Sequence, residues 1–404
     1  MIAVLADDLT GAAELGGIGL RYGFSVEINT AVPGTTKADL LIIAADTRSM
    51  EREQAVREIE SLTKALSQLR PTLIYKKVDS VLRGHVVAEI KTQLKVLGLK
   101  RSLLVPANPA LGRTIQDGVY LLHGQPVHLS SFALDPEFPI TRSGVQEMLQ
   151  ASEEQIWLRR PVDDLPEEGI IVGEVSHARD LQAWTGRMEE DVLAAGAAGF
   201  FTALLDRMNI ADRKEPAPEA IAGAGITLVV CGSTYDKSRR LVRNIKEQGG
   251  PVSYMPAAIA AGREAGEVEQ ETGASGEETR AALYDAWYEV WYEDTLRLIR
   301  DQGRAIIAID PATTDGSSSA RLLRERMARL VRLVLQGGNI EELFIEGGST
   351  AFAILQTSGL QVFSPVQELS AGVIRMSAAQ SPGLHITVKP GSYDWPASAQ
   401  IFAI

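Results

Sequence analysis

The sequence predicts an α/β protein of two domains, each built on a mainly parallel sheet flanked by helices. Three observations carry this reading. Short apolar runs alternate with amphipathic stretches, the βαβα order that yields parallel sheets covered by helices. A polar, Pro-containing stretch separates two such series. A chain of 404 residues, 45% of them hydrophobic, also suits two cores better than one unusually large core.

The elements follow in order. "IAVLA" (Ile2–Ala6) reads as a short buried strand, and "GAAELGGIGLRYG" as a helix closed by Gly23. Asp39–Arg48 is the next strand. Glu51–Leu69 is an amphipathic helix stopped by Pro71. "TLIYKKVD" and "RSLLVPAN" are two further strands with a helix between them. In Gly118–Leu129 two apolar runs flank "HGQP", which predicts a hairpin. An alanine-rich helix ends near Leu205. The first domain therefore covers residues 1–210, a linker 211–225, and the second domain 226–404. The second series contains the strands "ITLVVCGST" (Ile226–Thr234), "RAIIAID" and "ELFIEGGS". The acidic, small-residue-rich stretch Ala260–Glu278 reads as a mobile surface segment.

Composition excludes several functions. A net charge of −12 disfavours a nucleic-acid partner, since phosphate backbones reward basic surfaces. The one cysteine, Cys231, forms no intrachain disulfide and supports no cysteine-rich zinc site. The five histidines have no metal-ligand spacing. "MIAVLADD" lacks the basic start of a signal peptide, and no uncharged run reaches a membrane span. The chain thus reads as cytoplasmic. A homodimer is compatible with the sequence.

Parallel α/β sheets bind ligands at the carboxyl ends of their strands. Asp7 and Asp8 occupy one such end, and Arg48 in "DTRS" a second. Asp79, Ser80 and Arg83 follow a third, and Asn108 and Arg113 a fourth. Lys76 and Lys77 alternate along their strand, so at most one faces this side; Lys77 is the candidate. If the four ends are neighbours, the mixture suits a small polyhydroxylated anion. Arginine forks hold carboxylates, and aspartates orient or deprotonate hydroxyls. Each feature also has a structural explanation. Asp8 or Thr10 could cap the following helix, and Asp79–Ser80 could be a capping turn. In the second half, "CGST", "EGGST" and "KPGSY" are Gly-Ser turns, two of them opening helices. Backbone N–H groups there can approach an anion closely. Neither the P-loop nor the dinucleotide fingerprint is present. Pro311–Ala320 is a hydroxyl-rich loop, first a helix entry and second a phosphate contact.

Taken in chain order, "ADDLTGAAE", "DTRS", "YKKVDSVLRGHV", "PANPALGRT", "CGST", "EGGST" and "PGLHITVKPGSYDWP" resemble the four-carbon acid sugar kinase family. The resemblance implies an N-terminal sugar-acid domain, a C-terminal nucleotide domain, and transfer of the ATP γ-phosphate to a threonate-, erythronate- or oxo-tetronate-type acid. It implies that Asp8, Arg48, Asp79, Ser80 and Arg83 contact the acid. It also implies that Ser233, Gly347, Gly348, Ser349, Thr350 and Gly391 hold ATP. Asp8 is the expected catalytic carboxylate, with Asp7 in support, and Mg²⁺ is expected to bridge the phosphates. The domains must close to exclude water. Two positions depart from the family's third motif: Val81 replaces a threonine and His85 an asparagine. Rival readings are a haloacid-dehalogenase-like phosphatase and a non-catalytic sugar-acid-binding protein. The phosphatase motif wants Asp-x-Asp-x-Thr, whereas these acids are adjacent.

Overall fold

A computed structural model describes residues 1–135, 137–150, 156–208, 225–232, 236–260, 277–310 and 320–399. Ser233, most of the proposed linker, most of the acidic Ala260–Glu278 stretch and nearly all of the Pro311–Ala320 loop lie outside the described residues. The chain divides into two compact units. One comprises Met1–Pro216 with Val362–Ile374; the other comprises Ala217–Gln361 with Arg375–Ile404.

The first unit begins β1 (Ile2–Ala6), α1 (Leu9–Arg21), β2 (Val26–Asn29), β3 (Leu40–Ala44), α2 (Arg52–Gln68), β4 (Leu73–Lys77), α3 (Val86–Leu97) and β5 (Arg101–Val105). A small antiparallel sheet follows: β6 (Arg113–Gln116), β7 (Val119–Leu122) and β8 (Gln125–Pro126). Its second half is the hairpin expected around "HGQP". After the one-turn α4 (Val145–Met148) come β9 (Ile156–Arg159), β10 (Gly169–Gly173), α5 (Ala178–Thr185), β11 (Val192–Gly196) and α6 (Ala198–Arg207). The main sheet runs β2-β3-β1-β4-β11-β5-β10-β9 and is parallel throughout.

The sequence explains this arrangement locally. Every residue of β1 and β3 is buried, as expected for strands covered on both faces. In α2 the buried positions Ala55, Ile59, Leu62 and Leu66 recur every three or four residues, which lines one helix face. Ile59, Leu62 and Leu66 pack on Ala3, Leu5, Leu41 and Ile43. Burying each large aliphatic side chain stabilises by roughly 1.5–3 kcal/mol.

Three expectations need correction. The strand read as Asp39–Arg48 stops at Ala44; Asp46 turns left-handed (φ 51°) and Thr47–Ser49 form a single 3-10 turn. The alanine-rich stretch before Leu205 is not all helix: Val192–Gly196 is β11, and α6 starts only at Ala198. Alanine favours helix in isolation, but here a wholly buried central slot in the sheet overrides that propensity. Because β11 lies between β4 and β5, only three of the four expected strand ends are direct neighbours.

The second unit contains β12 (Thr227–Cys231), β13 (Val252–Tyr254), β14 (Arg304–Ala308) and β15 (Glu342–Glu346). The chain continues through β16 (Val362–Ser370), β17 (Val373–Ala378) and β18 (His385–Lys389). The order β13-β14-β12-β15-β18 is again parallel. The third correction concerns β16, read from sequence as part of the second domain. It belongs to the first unit, where it pairs antiparallel with β2 (Val362 opposite Asn29, Phe363 opposite Ile28). Phe363 is fully buried, and Arg21 of α1 donates to Glu368. Among the described residues no helix is long and apolar enough to cross a membrane.

Candidate active site

β3, β1 and β4 lie side by side, so the residues just past their ends converge. Asp8 ends the turn after β1 with extended backbone (φ −145°) and is the N-cap of α1. Its Oδ1 accepts from the Gly11 N–H at 2.9 Å and its Oδ2 from the Thr10 hydroxyl at 2.5 Å. Asp7 faces Arg48, whose Nε (2.9 Å) and Nη2 (2.7 Å) both donate to Asp7 Oδ2. Arg48 Nη2 also lies 3.1 Å from Asp8 and 3.5 Å from Asp79. One buried guanidinium therefore gathers three buried carboxylates.

Asp79 organises the turn after β4. Its Oδ2 accepts from the Val81 N–H (3.1 Å), the Arg83 N–H (3.1 Å) and Arg83 Nε (2.9 Å), while Arg83 Nη2 donates to Oδ1 at 2.7 Å. The turn holds Leu82 (φ 62°) and Gly84 (φ 87°) left-handed. A Cβ on Gly84 would also meet Arg48 Cγ at 3.1 Å, so glycine serves both the backbone and the neighbouring guanidinium. Arg83 Nη1 donates to Asp135 at 2.7 Å, and Arg113 Nη1 donates to the Ser80 hydroxyl at 2.8 Å. Phe132 lies under both guanidiniums, 5.4 Å from Arg83 and 5.6 Å from Arg113, a cation–π arrangement. Arg113 thus joins the cluster despite the intervening β11. Lys77 donates to the Val78 carbonyl (3.0 Å) and lies 3.7 Å from Glu14.

The adjacent acids experience opposite environments. Burial pushes the Asp7 carboxyl up, and Asp8 adds to this; Arg48, Lys76 and Lys77 only partly offset it, so its pKa stands above the ordinary value. Burial also pushes Asp8 up, but Arg48, Lys77 and the hydrogen bonds from Thr10 and Gly11 outweigh it and hold Asp8 below the ordinary value. At Asp79 the burial effect is overcome by Arg83 and Arg48, leaving it well below the carboxylate range. Asp7 Oδ1 is buried and has no hydrogen-bond partner among the described residues.

The two departures from the family motif turn inward. Val81 is fully buried, and His85 Nε2 donates to the Met50 carbonyl at 2.7 Å. A cavity of about 540 Å³ opens beside Arg83, bordered by Leu82, Gly84, Phe138, Thr141 and Arg142. A second, of about 340 Å³, includes Asn108, Glu14 and the start of α6 at Gly199. Sequence reasoning missed Phe132 and Asp135, which lie in an irregular 3-10 stretch without periodicity.

In the second unit, Gly347 (φ 97°) precedes the helix Gly348–Thr357, placing that helix N-terminus at the end of β15. Thr350 is buried, and a Cβ on Gly232 would come within 2.5 Å of its Oγ1. The ends of β12 and β15 are thus in close contact. Gly391 sits in a turn closed by the Tyr393 N–H donating to the Pro390 carbonyl at 3.0 Å. Among the described residues no group of three or more His, Cys, Asp or Glu side chains is placed to hold a metal.

A family profile described as a sugar-binding N-terminal domain matches residues 2–204, and one described as a nucleotide-binding C-terminal domain matches residues 228–393. The chain is 27% identical to a D-threonate kinase of Salmonella typhimurium, covering 91% of this chain and 88% of that protein. It is 25% identical to a D-erythronate kinase of Heliobacterium modesticaldum (92% and 89%) and 23% identical to a 3-oxo-tetronate kinase of Pectobacterium atrosepticum (99% and 98%). The chain belongs to the four-carbon acid sugar kinase family. As a member of that family it is a phosphotransferase enzyme. Solved structures agree on the fold. A Salmonella typhimurium protein described as a tRNA synthase superposes with a TM-score of 0.73 at 18% identity, covering 100% of this chain and 98% of that one. A Haemophilus influenzae protein gives 0.66 at 16%, covering 99% of each. At these identities the likeness concerns the fold alone.

Proposed function

We propose that this four-carbon acid sugar kinase transfers the γ-phosphate of ATP to the terminal hydroxyl of a threonate-, erythronate- or 3-oxo-tetronate-type acid. The observation that supports it most is the knot of Asp7, Asp8, Arg48, Asp79 and Arg83 at adjoining strand ends, inside the region matched as sugar-binding. Arg48, Arg83, Arg113 and Lys77 supply positive charge for the acid's carboxylate, and Ser80 and Asp79 supply hydroxyl partners. Arg83 and its cavity form the entrance side of this site.

Phosphoryl transfer depends mainly on alignment and charge neutralisation, with a base to receive the attacking hydroxyl's proton. The expected order of the two acids is reversed in this proposal. Asp8 is occupied as a helix cap and held ionised, whereas Asp7 has a buried oxygen without a partner and a raised pKa. Asp7 is therefore the proton acceptor, and Asp8 fixes the mouth of α1. In the second unit Gly347 makes the turn, and the Gly348–Thr350 helix start and Gly391 offer backbone N–H groups to the ATP phosphates. Ser349 lies on the first turn of that helix, while Thr350 is buried against Gly232. With no carboxylate cage among the described residues, Mg²⁺ is assigned to the nucleotide phosphates, whose charge it neutralises when bound. The adjacent acids also lack the Asp-x-Asp-x-Thr spacing that the phosphatase alternative needs.

The test is a coupled ADP-release screen with ATP and four-carbon sugar acids of every stereochemistry. ADP release dependent on one or a few of these acids is expected. Release independent of any acid, or none with all of them, would overturn the proposal.

A further inference from the structure

Lys389 is 1% exposed at the carboxyl end of β18, and its buried charge is unexplained by the function so far. Its register partner on β15 is Glu346. The two glycine turns assigned to the nucleotide begin at the next residues, Gly347 and Pro390. Both turns are attached to Lys389. Its backbone carbonyl accepts from the Gly347 N–H at 2.8 Å. Its ammonium donates to the carbonyls of Pro390 (3.0 Å) and Tyr393 (2.6 Å), which bracket Gly391. The same nitrogen lies 3.4 Å from Glu346 Oε2 and 5.3 Å from the centre of the Trp395 ring. Glu346 is held in turn by Trp395 Nε1 (3.3 Å) and by the Ser238 hydroxyl.

An ammonium has three N–H donors. Two carbonyls and one carboxylate account for all three, so none points toward a phosphate. Burial of such a charge is costly unless partners are well placed, which marks the arrangement as a fixed joint rather than a mobile contact. We propose that Lys389 is a positioning residue for nucleotide binding, setting the spacing between the Gly347–Thr350 turn and the Gly391 turn. It rests on the proposed placement of ATP in this unit, and Lys389 itself does not touch the nucleotide. Loss of the joint lets one turn move against the other while leaving the N-terminal sugar-acid residues untouched.

The experiment compares the wild type, the charge-neutral double variant Lys389→Met/Glu346→Gln, and Lys389→Arg. Calorimetry with ATP and Mg²⁺ gives nucleotide affinity, and steady-state kinetics give KM for ATP and for the acid found by the screen. The double variant removes both charges, so no carboxylate is left buried alone. It is expected to raise Kd and KM for ATP by about tenfold or more, since displacement of positioning groups by an ångström can cost that much, with KM for the acid unchanged. Lys389→Arg keeps the charge but not the single-point geometry, and is expected to raise KM for ATP several-fold. It carries the test if the double variant does not fold. A merely structural role lowers the folded fraction and the turnover with neither KM moving. Wild type that binds ATP beside variants with unchanged ATP affinity, or with both KM values rising together, overturns the role of Lys389 alone. Wild type that does not bind ATP overturns the placement of the nucleotide.

Discussion

Asp8 spends both side-chain oxygens on its own helix, on Thr10 Oγ1 and the Gly11 N–H, and this decides how two adjacent acids divide their work. Asp8→Asn keeps a good N-cap but loses the charge beside Arg48, so its turnover is expected to change little while its melting temperature falls modestly. Asp7→Asn removes the proposed proton acceptor, and kcat is expected to fall by about 10²–10⁴ with the fold retained. Measuring kcat and melting temperature for both variants checks this; a large loss confined to Asp8→Asn would return the role to Asp8. Much of the cluster was legible in the sequence, because Asp7, Asp8, Arg48, Asp79 and Arg83 all follow apolar runs and so announce strand ends. Their mutual pairing was not legible. Arg48 contacts three carboxylates from two other segments, the turns after β1 and β4, and only the order of the strands brings those together. Phe132 and Asp135 reach the two arginines from a stretch with neither apolar alternation nor a helical period, so nothing local pointed to them.

At the scale of elements, the alternation of apolar runs and amphipathic stretches was enough to place β1, α2, β4 and the hairpin. It failed at β11, whose alanines and glycine carry no β signal, and at β16, whose pairing with β2 spans more than three hundred residues (Val362 opposite Asn29). The close approach of β12 to the helix Gly348–Thr357 gives a further expectation. In Gly232→Ala the new methyl would lie 2.5 Å from Thr350 Oγ1, well inside van der Waals contact. The helix entry must shift, and overpacking of this kind typically costs about 1–3 kcal/mol. A rise in KM for ATP larger than any change in KM for the acid is expected. Kinetics indistinguishable from wild type would show that the Gly347 turn tolerates displacement and does not hold the nucleotide.

At the scale of the whole molecule, the acid response follows from the buried carboxylates. Asp79 and Asp8 have depressed pKa values in the folded state. The unfolded chain therefore binds protons first, and their stabilisation is present above about pH 4 and lost as pH falls below it. Asp7, with a raised value, contributes in the opposite sense and favours the folded state as it protonates. Urea unfolding of the wild type is expected to show stability declining below about pH 4, and Asp79→Asn is expected to show a shallower decline from a lower starting stability. Parallel curves would mean that Asp79 is not a principal source of the acid sensitivity. The central claim concerns where the phosphate goes. Phosphorus NMR of the reaction of ATP with the acid selected by the ADP-release screen tests it most directly. The expected product shows one phosphoryl group coupled to the protons of the terminal carbon, in amount equal to the ADP formed. ADP accompanied only by inorganic phosphate, with the acid unchanged, would contradict the account.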